Sequence, residues 1–323
     1  MIAFAGVAVG ILLLVAGGAA LVHGASQLAS RLGVSPIVVG LTVVAFGTSM
    51  PELIVNVMSA FRGETGLAFG NIVGSNIANL AIVLGITALV RPLTLHGGLV
   101  QREVPLLLLG TTVLVVLALD GNFGGSVALI SRADSVVLLL IFSIFIYITV
   151  LDVLRARRKD AIVADIESNP LVITRPVTRF SALYMLAGVA LLYGGGEITI
   201  GYSISLAERF GIPASAIGLY IVAIGTSMPE MVSSIIAAAR KESDLAVGNL
   251  VGSNIFNALL VLPATGLVSE IEIPAGGVRD LTFSWLLAAA LVPIFIFGNA
   301  RLGRPAACAI LLSYAAWAYF RAA

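Results

Sequence analysis

Gly47-Thr48-Ser49-Met50-Pro51-Glu52 recurs, letter for letter, as Gly225-Thr226-Ser227-Met228-Pro229-Glu230. The two hexapeptides lie 178 residues apart, each inside a long apolar run. A carboxylate, two hydroxyls and a helix-breaking proline thus return as a unit in a chain that otherwise avoids charge. The same offset carries Arg31 and Gly33 onto Arg209 and Gly211, and Gly40-Leu41 onto Gly218-Leu219. It carries Gly70-Asn71 and Val73-Gly74-Ser75-Asn76-Ile77 onto Gly248-Asn249 and Val251-Gly252-Ser253-Asn254-Ile255, and Asn79 onto Asn257. No gap is needed across this span, which marks an internal duplication.

The surroundings set the class. The 323 residues are 59% hydrophobic and 11% charged, against roughly 25% charged in a soluble domain. Mean hydropathy is +1.08. This is the composition of a multi-pass membrane protein. Apolar runs of spanning length occur at 2–30, 36–61, 67–90, 103–119, 134–154, 180–208, 213–238, 245–268, 281–298 and 304–320, which predicts an all-α protein of ten transmembrane helices. The run from Ile2 has no Lys or Arg before it, so it reads as a first membrane helix rather than a secretory signal. A net charge of +1 without a basic stripe gives no support to nucleic-acid binding. Cys308, the single cysteine, sits in an apolar stretch and reads as a small packed residue.

One connection is clearly polar. Residues 155–179 hold Arg155, Arg157, Arg158, Lys159, Arg175 and Arg179, and they split the runs five and five. The division is 1–154 for a first five-helix repeat, 155–179 for a linker and 180–323 for a second repeat. If the runs alternate across the membrane, 13 of the 18 Lys and Arg fall on one side and 5 on the other. The richer side is cytoplasmic by the positive-inside rule. The linker is then cytoplasmic and both termini lie outside, as in a prokaryotic inner membrane. Five helices per copy is an odd number, so the second copy enters from the opposite side. Inverted repeats with broken helices are an architecture of secondary transporters, whose sites lie at mid-membrane between the repeats.

Pro51 cannot donate to the carbonyl of Gly47, and its ring clashes there. The helix is expected to break around 45–49 and to free carbonyl oxygens such as that of Ala45. In hydrocarbon a free carbonyl must be buried in protein or line a cavity. An ionised carboxylate at mid-membrane costs at least ~2.5–3.5 kcal/mol. Glu52 and Glu230 have no basic neighbour in sequence, so a bound cation, or a proton in its absence, is their natural counter-charge. Thr48 and Ser49 precede Glu52 by four and three residues, and Ser75 precedes Asn79 by four. Both offsets share a helix face. The second copy supplies Thr226, Ser227, Glu230, Ser253 and Asn257. All are hard oxygen donors, suited to Ca²⁺ and also to Na⁺. No His or Cys belongs to the set, which argues against Zn²⁺ and copper. Two carboxylates balance one Ca²⁺.

The segments 70–76 and 248–254 are glycine-rich but lack the Lys of a phosphate loop. No Gly-x-Ser-x-Gly nucleophile elbow is present. An intramembrane hydrolase built on Ser49 or Ser227 lacks a general base, so the protein is not read as an enzyme and no cofactor is expected. A cation channel could use the carboxylate pair as a filter, but it leaves the inversion unexplained.

The paired Gly-Thr-Ser-Met-Pro-Glu and Gly-Asn-x-x-Gly-Ser-Asn-Ile-x-Asn segments, at 40–79 and 218–257, resemble the repeats of the calcium/cation antiporter superfamily. The chain is most similar to prokaryotic sodium/calcium exchangers. The resemblance implies exchange of Ca²⁺ for Na⁺ by alternating access. A Ca²⁺/H⁺ or K⁺-involving exchanger of the same fold is the alternative. It implies that Glu52 and Glu230 hold the central Ca²⁺ site, which Na⁺ also uses. It implies backbone oxygens from Thr48 and Thr226, and Na⁺ sites lined by Ala45, Ser49, Ser75, Ala223, Ser227 and Ser253. The first and sixth helices would form a sliding unit. Archaeal members carry an Asp at the position of Asn257, opposite the Asn79 position; here both are Asn. Proton-driven relatives carry a His after the Glu; Leu53 and Met231 stand there instead, which favours Na⁺. Besides Ca²⁺, Na⁺ and the lipid bilayer, no obligate protein partner is expected, because one chain holds both repeats. Glu197 has Ala19 as its repeat mate and is assigned to a helix-packing hydrogen bond. His23 is read as interfacial, His96 as a loop residue, and the basic run 155–159 as a topology determinant.

Overall fold

A computed structural model describes residues 2–32, 36–94, 103–119, 129–166, 180–209, 227–297 and 300–322. The described chain is helical almost throughout, as its apolar content requires, since only helices or closed barrels satisfy backbone polar groups in lipid. In order, the helices are α1 (Ile2–Leu32), α2 (Pro36–Val39), α3 (Ala45–Thr48), α4 (Met50–Phe61), α5 (Thr65–Ala78), α6 (Leu84–Val90), α7 (Val104–Ala118), α8 (Arg132–Ile166), α9 (Ser181–Arg209), α10 (Met228–Ala239), α11 (Ser243–Phe256), α12 (Leu262–Val268), α13 (Gly277–Phe297) and α14 (Arg304–Ala322). Wide π-turns join α2 to α3 (Gly40–Val44), α5 to α6 (Asn79–Val83) and α11 to α12 (Asn257–Val261).

Six of these segments are long and apolar enough to cross a membrane: Ala3–Ala29, Thr65–Val90, Arg132–Leu151, Ser181–Thr199, Ser243–Val268 and Gly277–Phe295. Gly40–Thr48 and Glu52–Phe61, bent by 50°, together make a seventh. Each of the ten apolar runs contains at least one described helix. Helix α8 continues to Ile166, so part of the stretch expected as a polar connection is helical. At 1.5 Å per residue, its 35 residues reach about 50 Å, well beyond the ~30 Å hydrocarbon core.

Burial separates centre from perimeter. The apolar window of Ser243–Val268 is 94% buried and that of Thr65–Val90 is 78% buried. The corresponding figure for α8 is 22%. The α5–α6 and α11–α12 segments therefore form the middle, with α7, α8, α13 and α14 packed around them. Outward-facing side chains such as Leu12, Leu140, Leu186 and Leu312 are exposed apolar groups, suited to lipid. Cys308 is among the exposed residues. The expectation of a packed cysteine fails because α14 is a perimeter helix, and hydrophobicity alone does not distinguish a lipid-facing position from a core one. Glu197 likewise lies exposed on α9 rather than buried in a packing contact. His23 is exposed, with a ring nitrogen 2.8 Å from Gln27 Nε2 and its ring edge-on to Tyr184. His96 lies outside the described residues.

Helices α1 and α9 make the most extensive pairing in the molecule, and they meet through glycine. A Cβ on Gly17 would stand 2.7 Å from Leu192 N and 2.9 Å from Gly188 O. A Cβ on Gly195 would stand 2.8 Å from Leu14 N and 2.9 Å from Gly10 O. Contact partners fall in α9 as they rise in α1, so the helices are antiparallel. Gly10 and Gly188 are 178 apart in sequence, as are Leu14 and Leu192, and Gly17 and Gly195. The two sets of contacts are the same contact with the halves exchanged.

Two short antiparallel ladders, absent from the sequence reading, tie the halves together. Strand β1 (Leu93–Thr94) pairs with β4 (Arg301–Leu302), and β2 (Leu129–Ile130) pairs with β3 (Ile271–Glu272). Each joins the end of a central helical segment in one half to the start of an outer helix in the other.

Candidate ion-binding site

The hexapeptides form the breaks that the prolines demand. Ser49 leaves the helix at φ −88°, ψ 2°, and α4 starts at Met50 with Pro51 in its first turn. Ser227 does the same at φ −85°, ψ 6°, before α10 and Pro229. Proline is tolerated there because a first-turn N–H has no intrahelical acceptor. Leu53 N donates to Ser49 O at 3.1 Å and Met231 N to Ser227 O at 3.0 Å, so the two restarts are alike. The break falls about one turn later than the sequence reading places it at its early edge. Ala45 O consequently keeps its helical bond, accepting from Ser49 N at 2.9 Å and lying 3.3 Å from Thr48 Oγ1. It is not the freed carbonyl expected; the carbonyl without its usual donor is that of Gly47, four residues before Pro51.

Glu52 and Glu230, each in the first turn of its helix, are fully buried and within electrostatic reach of each other. Neither oxygen of Glu52 has a hydrogen-bond partner among the described residues. Glu230 Oε1 accepts from Ser49 Oγ at 3.3 Å and from Ser253 Oγ at 3.4 Å, while Oε2 has no partner there. The first hexapeptide thus touches the second. Among the described residues, no third carboxylate, His or Cys gathers with this pair.

Other unpartnered oxygens belong to the expected set. Ser75 Oγ, Ser227 Oγ, and both side-chain polar atoms of Asn79 and Asn257 are buried with no hydrogen-bond partner among the described residues. Asn79 and Asn257 each open a π-turn, a departure that recurs at functional sites. Four residues earlier on the same helical segments sit Ser75 and Ser253, both fully buried. Thr48 is buried, its Oγ1 3.1 Å from Val44 O, 3.2 Å from Asn249 Oδ1 and 3.5 Å from Ser253 Oγ. Ala223 and Thr226 lie outside the described residues. Gly252 lets the broken helix approach, since a Cβ there would lie 2.7 Å from Leu41 O and from Ala45 Cβ.

The sequence reading missed the asparagines and serines that tie these elements together. Asn254 Nδ2 donates to Asn76 O at 3.0 Å, a bond between repeat mates 178 residues apart. Asn56 Nδ2 donates to Glu52 O at 2.7 Å and Asn71 Nδ2 to Asn56 Oδ1 at 3.3 Å. Asn249 Nδ2 lies 3.0 Å from both Ser233 Oγ and Ser234 Oγ. The available signal was the repeat itself: Asn71, Asn76, Asn249 and Asn254 all fall in Gly-Asn-x-x-Gly-Ser-Asn, whereas Asn56, Ser233 and Ser234 do not.

The sequence profile of the family described as sodium/calcium exchanger protein matches residues 2–151 and 180–323. The chain belongs to this family. It is an integral, multi-pass membrane protein of the sodium/calcium exchanger type. CaxA of Alkalimonas amylolytica is 33% identical over 97% of this chain and 96% of its own length. The sodium/calcium exchanger MaX1 of Methanosarcina acetivorans is 27% identical over 95% of each chain. A structure of the sodium-calcium exchanger NCX_Mj superposes with a TM-score of 0.80 at 26% identity, covering 97% of this chain and 96% of that one.

Proposed function

We propose that this exchanger-family protein carries out secondary active antiport of Ca²⁺ against Na⁺, with the ions competing for one site between Glu52 and Glu230. The observation that carries this reading is the Glu52 carboxylate, fully buried with neither oxygen hydrogen-bonded among the described residues and close to a second buried carboxylate. Such a pair is costly in a membrane interior unless a cation balances it. The reading adds oxygen donors from Ser49, Ser75, Asn79, Ser227, Ser253 and Asn257, of which Ser49 and Ser253 lie against Glu230 Oε1. Ala45, Thr48, Ala223 and Thr226 complete the proposed ligand set. A ring of hard oxygens with a −2 charge accommodates one Ca²⁺ or two Na⁺.

Ten transmembrane helices in two inverted repeats, 1–154 and 180–323, are the architecture of this reading. Its support is the antiparallel α1–α9 contact, in which each half presents the same glycines to the other, and the matching breaks at Ser49 and Ser227. The linker 155–179 would be cytoplasmic, the termini outside, and the host membrane the inner membrane of a prokaryote. The transported ions are substrates; no enzymatic activity, cofactor or obligate protein partner enters the scheme.

Radiolabelled Ca²⁺ uptake into proteoliposomes, driven in turn by outward Na⁺, K⁺ or H⁺ gradients, tests the reading. Uptake is expected with the Na⁺ gradient and is expected to vanish in Glu52→Ala and Glu230→Ala. Normal uptake by either variant would sink the site; uptake indifferent to any counter-ion would make the protein a channel.

A further inference from the structure

Asn249 lies outside the proposed ligand set, yet it is buried and bridges the two hexapeptides. Its Oδ1 accepts from Thr48 Oγ1 at 3.2 Å. Its Nδ2 donates to Ser233 Oγ and Ser234 Oγ at 3.0 Å each and lies 3.5 Å from Glu230 O. Ser233 Oγ donates onward to Pro229 O at 2.7 Å, and Ser234 Oγ to Ala246 O at 3.3 Å. The donors run in one direction, from Thr48 through the amide to the two serines and then to backbone carbonyls. Turning the amide over would set its NH₂ against Thr48 and its carbonyl against the serines. The serine hydroxyls would then have to abandon Pro229 and Ala246 to satisfy it. The chain therefore fixes the amide's orientation as well as its place. It starts on the hexapeptide of one half, and its Ser233 branch ends on Pro229 in that of the other.

We propose that Asn249 is a positioning residue for ion binding, holding Thr48 in register with the turn that carries Glu230. Thr48 Oγ1 also lies 3.1 Å from Val44 O, so its hydroxyl sits between its own helix and the amide of Asn249. The first half holds a related link. Its repeat mate Asn71 donates to Asn56, which itself donates to Glu52 O. A glutamate backbone in each half is thus tied to the asparagine of the following central helix.

The inference rests on the antiport reading, and the test separates them. Asn249→Leu, of similar shape, Thr48→Val, isosteric without the hydroxyl, and the double variant are assayed for Na⁺-driven Ca²⁺ uptake in proteoliposomes over a range of Ca²⁺. Each single variant is expected to raise the half-saturating Ca²⁺ about tenfold, the scale of one or two hydrogen bonds, with the maximal rate within about threefold of wild type. The double variant is expected to be no worse than the poorer single one, as for two ends of one link. An unchanged half-saturation, a loss confined to maximal rate, or single effects that multiply would each overturn the proposal. If Asn249→Leu does not give a monodisperse protein, Asn249→Ala takes its place in the single and double variants, with the same outcomes supporting or overturning the link. Wild-type protein without Na⁺-driven uptake overturns the antiport reading and this inference with it. Active wild-type protein beside unaffected variants overturns the inference only.

Discussion

Glu52 is held by its backbone and left alone at its charge: Asn56 grips its carbonyl at 2.7 Å, and neither carboxylate oxygen has a bond among the described residues. Under the proposed antiport, a substrate cation completes it. Glu52→Gln, which keeps the shape and removes the charge, is expected to leave thermal stability in detergent equal or improved, because an uncompensated buried charge is gone. It is also expected to lose the Ca²⁺-dependent rise in melting temperature expected of the wild type, about 2.7 kcal/mol of stabilisation at a hundredfold excess over Kd. A thermal-shift titration checks both. Charge counting gives a second prediction. Two carboxylates are neutralised equally by one Ca²⁺ or two Na⁺, so exchange is expected to ignore an imposed membrane potential. Asn257→Asp adds a third carboxylate, so Ca²⁺ and Na⁺ occupancy no longer match, and uptake is expected to become potential-dependent. Clamping proteoliposomes with a K⁺ ionophore measures it. The carboxylates, the hydroxyls and the two asparagines of the proposed set, Asn79 and Asn257, stand out in the sequence because they recur in a repeated string. Asn249's role could not, because Thr48 is 201 residues away and periodicity carries no information about such a pair.

At the scale of elements, proline chemistry made the broken helices legible, but not the residue at which the break falls. Pro51 removes only its own N–H, so the bond from Ser49 to Ala45 survives and the turn opens at Ser49. The π-turns at Gly40, Asn79 and Asn257 were invisible for a related reason: an extra residue in one turn barely disturbs an apolar run with no polar face to track. The strands are two residues each, too short for any alternation to register. Small residues were read only as a sign of close packing; the structure says where they act. Gly195→Val would force a side chain against Leu14 N and Gly10 O, an overpacking of about 1–3 kcal/mol. A lower melting temperature and a slower maximal rate are expected, with the half-saturating Ca²⁺ unchanged, since no oxygen of the site is touched. An altered Ca²⁺ dependence would mean that the α1–α9 contact reaches the site directly.

Over the whole molecule, the duplication placed the two halves on the page before any coordinate did, and the wrapping of one half around the other did not follow from it. Helix α14 packs on α6 of the first half, and α8 on α12 of the second. The ladders β1–β4 and β2–β3 cross between halves in the same sense. Each half therefore contributes a wall of the other's core. A gene cut between Ile166 and Phe180, expressed as two fragments, is expected to yield a stable complex that co-purifies through a tag on one piece and retains Na⁺-driven uptake. Fragments that fail to associate would mean that the covalent joint, rather than the clasp, keeps the halves together. With two ladders acting as buckles, an ancestor in which each half was a separate polypeptide could already have closed into this shape.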